Sequence, residues 1–154
     1  MTGTVLDGNI DVAFLRTDGK TIEKFGYYDL VPYSEGVKSL IISALNEAKR
    51  WNFIGKEPEI FSKAEAALTK SQAEAVKKCI KLAGINKKEI SAIGFHGQTV
   101  LHRPANRVLK GATRQLGDGQ AMANTLDIPV VYDFRTHDIE EGGQGAPLCP
   151  CLLY

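Results

Sequence analysis

With 154 residues, 44% hydrophobic and 24% charged, the chain has the length and composition of one soluble globular domain or part of a larger one. Its 19 basic and 18 acidic residues leave a formal charge of +1, which excludes the electrostatic footprint of a nucleic-acid or anionic-membrane binder, although backbone groups can still hold a small anionic ligand. No apolar run reaches the roughly 20 residues of a membrane helix. The opening residues lack a secretory pattern, and three cysteines (Cys79, Cys149, Cys151) make no disulfide framework, so a cytoplasmic protein is expected.

Ile10 to Arg16 is a largely apolar run of strand length, and Thr17-Asp18-Gly19 is a turn signal. Thr21 to Val31 is rich in aromatic and β-compatible residues, so the two runs are predicted to pair as antiparallel strands. Ser34 can cap a helix in which Val37, Leu40, Ile41, Ala44, Leu45 and Ala48 recur at three- and four-residue spacing. Trp51 extends that face, and Gly55 with Pro58 breaks it. Phe61 to Ala83 carries a second stripe of Ala75, Val76, Cys79, Ile80 and Ala83. A restart is expected within it at a capping box, Thr69 with Gln72 or Ser71 with Glu74, and an end at Gly84.

Asn86 with Glu89 resembles another short cap. Ser91 to Phe95 reads as a buried strand that delivers His96-Gly97-Gln98-Thr99 at its C-terminal end. Leu116 to Leu126 is compatible with a short helix, and Ile128 to Phe134 with another buried strand, delivering Asp133, Phe134 and Arg135. A glycine-rich stretch, Gly142 to Gly145, follows. The order β-β-α-α-β-α-β indicates a mixed α/β domain. Polar, glycine-flanked segments directly after the buried strands put the candidate chemistry at the carboxyl edge of the sheet.

Each candidate segment has a plain structural reading beside its functional one. Gly3-Thr4-Val5-Leu6-Asp7-Gly8 offers backbone N–H groups to a phosphate and a carboxylate to Mg²⁺, but Asp-Gly is also a common turn pair, and the pattern is not a Walker loop. His96 and Gln98 have the donors and acceptors to orient sugar hydroxyls, or they belong to an ordinary polar loop. Asp118 stands between glycines at a helix start, where an N-cap is the commoner role. Asp133 leaves an apolar strand where a general base would sit, and alternation lets it share a face with Arg135, as a catalytic pair or a salt bridge. His96, His102, Asp118, Asp133 and His137 lack transition-metal spacing, and no Gly-x-Ser-x-Gly marks a serine hydrolase.

Taken together, the segments resemble the anhydro-N-acetylmuramic acid kinases. Gly3-Thr4-x-Leu6-Asp7-Gly8, Ile93 to Pro104 (IGFHGQTVLHRP), Gln115 to Gly119 (QLGDG), Ile128 to Asp138 (IPVVYDFRTHD) and Gly142 to Leu148 (GGQGAPL) stand in that family's order, over essentially the whole chain. The resemblance implies an α/β, ribonuclease-H-like (actin-like ATPase) lobe, a mixed sheet flanked by helices, one of two lobes that close on ATP. It implies ATP-dependent phosphorylation with hydrolytic opening of 1,6-anhydro-N-acetylmuramic acid to N-acetylmuramic acid 6-phosphate, in peptidoglycan recycling and amino-sugar catabolism.

Residue by residue, it implies a phosphate-binding loop of Gly3, Thr4, Val5, Leu6, Asp7 and Gly8, with Asp7 as a Mg²⁺ ligand. It makes Asp133 the base that activates the attacking water, and His96, Gln98, Asp118 and Arg135 the sugar and phosphate contacts. Val5 stands where the family loop usually has serine, and Asn9 lengthens the stretch before Asp11 by one residue. Against the family pattern the chain starts inside the glycine loop and stops soon after Leu148. Residues 1–154 are therefore expected to be a single N-terminal kinase lobe, truncated, with the second lobe absent. The alternative is a non-catalytic remnant with weak or no ligand binding. Exposed apolar surface would favour self-association, with a homodimer the assembly it admits.

Overall fold

The computed structural model describes residues 8–145. Gly3 to Asp7 of the expected phosphate loop and Cys149 and Cys151 therefore lie outside the described residues.

Strands β1 (Asn9–Thr17) and β2 (Ile22–Pro32) form the expected antiparallel hairpin, with Ile10 opposite Val31 and Val12 opposite Asp29. Asp18 closes the turn: its Oδ1 accepts from Lys20 N at 2.8 Å and Thr21 N at 2.7 Å. Ile10 is buried, and Val12 and Val31 pack against the same core, while Phe25 and Tyr28 remain 74% and 76% exposed on the outer face.

Helix α1 (Glu35–Trp51) starts at Ser34, whose Oγ accepts from Val37 N, and ends at Asn52 in the left-handed region. Ile41, Ala44 and Ala48, three of the predicted stripe, are fully buried. Helix α2 (Ile60–Ala83) runs for 24 residues without the expected restart. Thr69 and Gln72, one of the two pairs that resemble a capping box, are buried mid-helix and bond outward instead. Gln72 Nε2 donates to Tyr33 Oη at 2.5 Å, and Thr69 Oγ1 accepts from Asp118 N at 3.0 Å. Ser/Thr-x-x-Gln/Glu caps only where backbone N–H groups are unpaired, and inside a continuous Ala- and Lys-rich helix they already are paired. Gly84, at φ +65°, ends the helix as predicted.

Beyond a short 3₁₀ turn at Lys87–Glu89 come β3 (Ile93–Phe95), β4 (Gln98–Arg103), β5 (Ala112–Leu116), α3 (Gly119–Leu126), β6 (Val130–Tyr132) and α4 (Thr136–Glu140). Two expectations are corrected here. Gln98 and Thr99 are not loop but the start of β4, and Leu116 closes β5 rather than opening a helix. That hairpin has no simple apolar–polar alternation to announce it: His102 and Arg103 lie opposite Thr113 and Ala112, and a bulge at Val100 breaks the register.

The predicted buried strand from Ile128 to Phe134 shortens and is not buried: Ile128 reaches the core, but Val131, Tyr132 and Phe134 are exposed. Only Val130, Val131 and Tyr132 pair with β3, in parallel. The α/β class stands, with the strands arranged as three two-stranded sheets, β1–β2 and β4–β5 antiparallel and β3–β6 parallel.

One core joins Ile10, Ile41, Leu68, Phe95, Met122 and Ile128; a second joins Ala44, Ala48, Phe61, Val100 and Leu116. Helices α1 and α2 contribute to both, so the β3–β6 pair and the β4–β5 hairpin are seated on a common helical layer. Among the described residues no helix is long and apolar enough to cross a membrane.

Candidate functional site

Because β3 and β6 are parallel and in register, their C-terminal ends coincide, and the chain leaves them side by side as His96 and Asp133. The segment from Arg114 to Gly117 supplies a third wall. Together they enclose a cleft of 180 Å³ floored by Phe95. Two glycines let the walls approach. A β-carbon on Gly97, at φ +63°, would lie 2.2 Å from the Leu116 carbonyl oxygen, and one on Gly117 would lie 2.9 Å from the Phe95 ring.

His96 is half-buried, and burial pushes its imidazole below the ordinary histidine range, with Arg135 pushing the same way and the Gly97 carbonyl opposing. Its Nδ1 lies 3.2 Å from Gly97 O. A carbonyl only accepts, so that nitrogen carries the proton and Nε2 keeps its lone pair for a ligand. His102, on β4, is lowered by the same two causes, burial first.

The other expected contacts disperse. Gln98 is buried, opposite Leu116, and its Nε2 donates to Thr99 O at 3.2 Å, so it serves the core rather than the cleft. Asp118 is the N-cap of α3, with Oδ1 accepting from Ala121 N at 2.8 Å.

Asp133 lines the cleft, exposed, at φ +53°, with Oδ1 accepting from Thr136 Oγ1 at 2.7 Å. The expectation that Asp133 and Arg135 share a strand face is corrected, because β6 stops at Tyr132 and the chain turns through a left-handed residue. They form no salt bridge with each other. Arg135 instead donates from a terminal guanidinium nitrogen to Gly145 O. Its Nε is buried without a partner among the described residues.

Gly8, the last residue of the expected phosphate loop, has φ +88°, and its carbonyl accepts from Tyr33 N at 2.8 Å. The Lys38 Nζ lies 3.6 Å from where a Gly8 β-carbon would be, so an ammonium stands beside the loop's end. A positive-φ glycine and an ammonium are the groups a phosphate needs, and to that extent the described residues fit a nucleotide. Among the described residues no group of three or more His, Cys, Asp or Glu side chains could hold a metal ion.

Sequence reasoning missed Arg114 and Gln115 as walls of the cleft, and Lys38 beside Gly8. Gln115 was within a quoted motif, whereas a single Lys on a helix or Arg in a strand carries no spacing signal.

A profile of the family described as "Anhydro-N-acetylmuramic acid kinase" matches residues 1–153. The chain is similar to the protein of that name from Mesorhizobium japonicum (54% identical over 148 residues) and to that from Brucella anthropi (55% over 148 residues). It is also similar to "Anhydro-N-acetylmuramic acid kinase 2" of Jannaschia sp. (54% over 148 residues). These alignments cover 96% of this chain but 39–40% of each relative, so the chain spans about two fifths of the length of the curated relatives it matches.

Proposed function

The chain belongs to the anhydro-N-acetylmuramic acid kinase family, and from that premise we propose that it forms the sugar-facing part of an enzyme that opens and phosphorylates 1,6-anhydro-N-acetylmuramic acid at the expense of ATP. Water adds to the anomeric carbon, and the bond from that carbon to O6 breaks. O6 takes the γ-phosphoryl group, and ADP leaves. The products are N-acetylmuramic acid 6-phosphate and ADP, as peptidoglycan recycling and amino-sugar catabolism would require.

The observation that carries this reading is the cleft at the joined carboxyl ends of β3 and β6, with the half-buried His96 imidazole on one side and the Asp133 carboxylate on the other. Asp133 is the proposed acceptor of the water proton; one carboxylate oxygen is held by Thr136, and the other has no partner among the described residues. His96 and Arg135 are the proposed sugar and phosphate contacts on the described side. Asp118 is proposed to brace the wall as a cap, and Gln98 to support it from the core.

The glycine loop from Gly3 to Gly8 is the proposed phosphate cradle, with Lys38 at its end. Mg²⁺, held at Asp7 and by the phosphates, would neutralise the developing charge. We place the protein in the cytoplasm. The exposed Phe25 and Tyr28 face supports a homodimer in which a second copy covers it.

Coupled detection of ADP on adding the anhydro sugar tests the activity, with Asp133→Asn as the comparison and both the 154-residue chain and a version extended to the relatives' length as the enzyme. A general base is worth about 10²–10⁴ in rate. A loss of that size supports the assignment; a loss under about tenfold leaves Asp133 as a wall residue only. Turnover confined to the extended protein means that this portion alone is non-catalytic. No sugar-dependent ADP from either length refutes the reaction.

A further inference from the structure

We infer that Gln115 is a substrate contact, its Oε1 accepting a hydrogen bond from a sugar hydroxyl or N-acetyl N–H, and that Glu65 on α2 is the positioning residue that holds it in place. The inference rests on the proposed function and extends it to two residues that were not among its expected contacts.

Gln115 lines the cleft, and its Nε2 donates to the His96 carbonyl at 3.1 Å. A carbonyl can bond only the NH₂ end of the amide, so the amide orientation is settled by chemistry and Oε1 is the atom left over. Oε1 is buried and has no partner among the described residues. A buried acceptor without a partner is unfavourable and calls for an explanation, and beside a cleft a ligand donor supplies one. Cross-strand neighbour Thr99 presents a second one, Oγ1, from the position opposite Gln115.

The strand end that carries Gln115 is tied down from α2. Glu65 Oε1 accepts from both Gly117 N at 2.9 Å and an Arg114 terminal nitrogen at 3.1 Å. The same Arg114 nitrogen donates to the Gln115 carbonyl at 2.6 Å. Arg114 is forked onto Glu57 as well, at 2.6 and 3.2 Å. One turn along α2 from Glu65, Thr69 Oγ1 accepts from Asp118 N. The N–H groups of Gly117 and Asp118 therefore point into α2 and not at a ligand. Gln115 lines the cleft from this wall beside Arg114, Leu116 and Gly117, and the Arg114 guanidinium is already held by Glu57 and Glu65.

The test is a titration of the 154-residue chain with 1,6-anhydro-N-acetylmuramic acid, followed by NMR at the Gln115 side-chain amide. Amide exchange is read at Gly117 and Asp118, and ATP affinity in parallel. Gln115→Leu should weaken sugar binding at least about tenfold without changing ATP affinity. Gln115→Glu, nearly isosteric, guards against a folding artefact and should also weaken it, because it loses the bond to His96. Glu65→Ala should speed exchange at Gly117 and weaken sugar binding, and Glu65→Gln, which can still accept from Gly117, should restore both. Native spectra with unchanged sugar affinity in Gln115→Leu would overturn the contact, and faster Gly117 exchange with unchanged affinity in Glu65→Ala would overturn the positioning role. No sugar binding by either the folded 154-residue chain or the version extended to the relatives' length brings down the functional reading and this inference with it, whereas sugar binding indifferent to Gln115 brings down the inference alone.

Discussion

Gly97→Ala probes the corner on which the cleft depends. Gly97 sits at φ +63°, where an L side chain costs about 1–2 kcal/mol. The added β-carbon would also lie 2.2 Å from Leu116 O, far inside contact distance. That oxygen cannot easily retreat, because Leu116 is fully buried and its strand is paired opposite Gln98. Overpacking of this kind costs a further 1–3 kcal/mol, roughly, so about 2–5 kcal/mol in all is expected. Gly84→Ala separates the two contributions: its φ is +65°, but nothing lies within 4 Å of the new carbon, so it should lose about 1 kcal/mol. Urea denaturation read by the fluorescence of Trp51, the single tryptophan, gives both midpoints. The indole stacks edge-on to Phe61 and donates to Gly55 O, so unfolding changes its environment. Equal losses in the two variants would show that the β3–β4 corner does not press against β5, and the cleft as described would be wrong.

Two further outcomes are expected. His96 and His102 are both held below the ordinary value of about 6.5, chiefly by burial, so in that pH window the unfolded chain binds more protons than the folded one. Stability should be full above about pH 6.5 and fall on acidification toward the folded values. His96→Gln should flatten the urea-midpoint profile, and a midpoint that rises as pH falls would contradict the burial. Asp118→Ala should cost about 1 kcal/mol through loss of the α3 cap, while Asp118→Asn should keep it. Sugar titration of the stable Asn variant then separates cap from contact, since unchanged affinity confines Asp118 to capping.

Legibility followed the range of the interactions involved. The β1–β2 hairpin, the Ser34 cap, the α1 stripe and the Gly84 stop were all readable, because each is decided within a few residues by turn chemistry, capping or apolar period. The β4–β5 hairpin was not, since its strands are polar on both faces and interrupted by a bulge. His96 and Asp133 were singled out because each directly follows an apolar run read as a buried strand; parallel pairing of β3 and β6 brings the two to one edge, although β6 itself is largely exposed, Val131 at 54% and Tyr132 at 45%.

Motifs and periodicity in the chain were enough to assign the family, the α/β class and the segments that carry polar chemistry. They could not say whether a polar residue serves the fold or faces a ligand. Thr69 and Gln72 looked like a helix start and became tertiary bonds, Gln98 was expected at the sugar and lies buried, and Glu65 gave no sign of holding Gly117 and Arg114 from 49 to 52 residues away. Those assignments depend on which distant donor arrives opposite which acceptor. Packing of α2 against the β5–α3 segment settles that, and no local pattern encodes it.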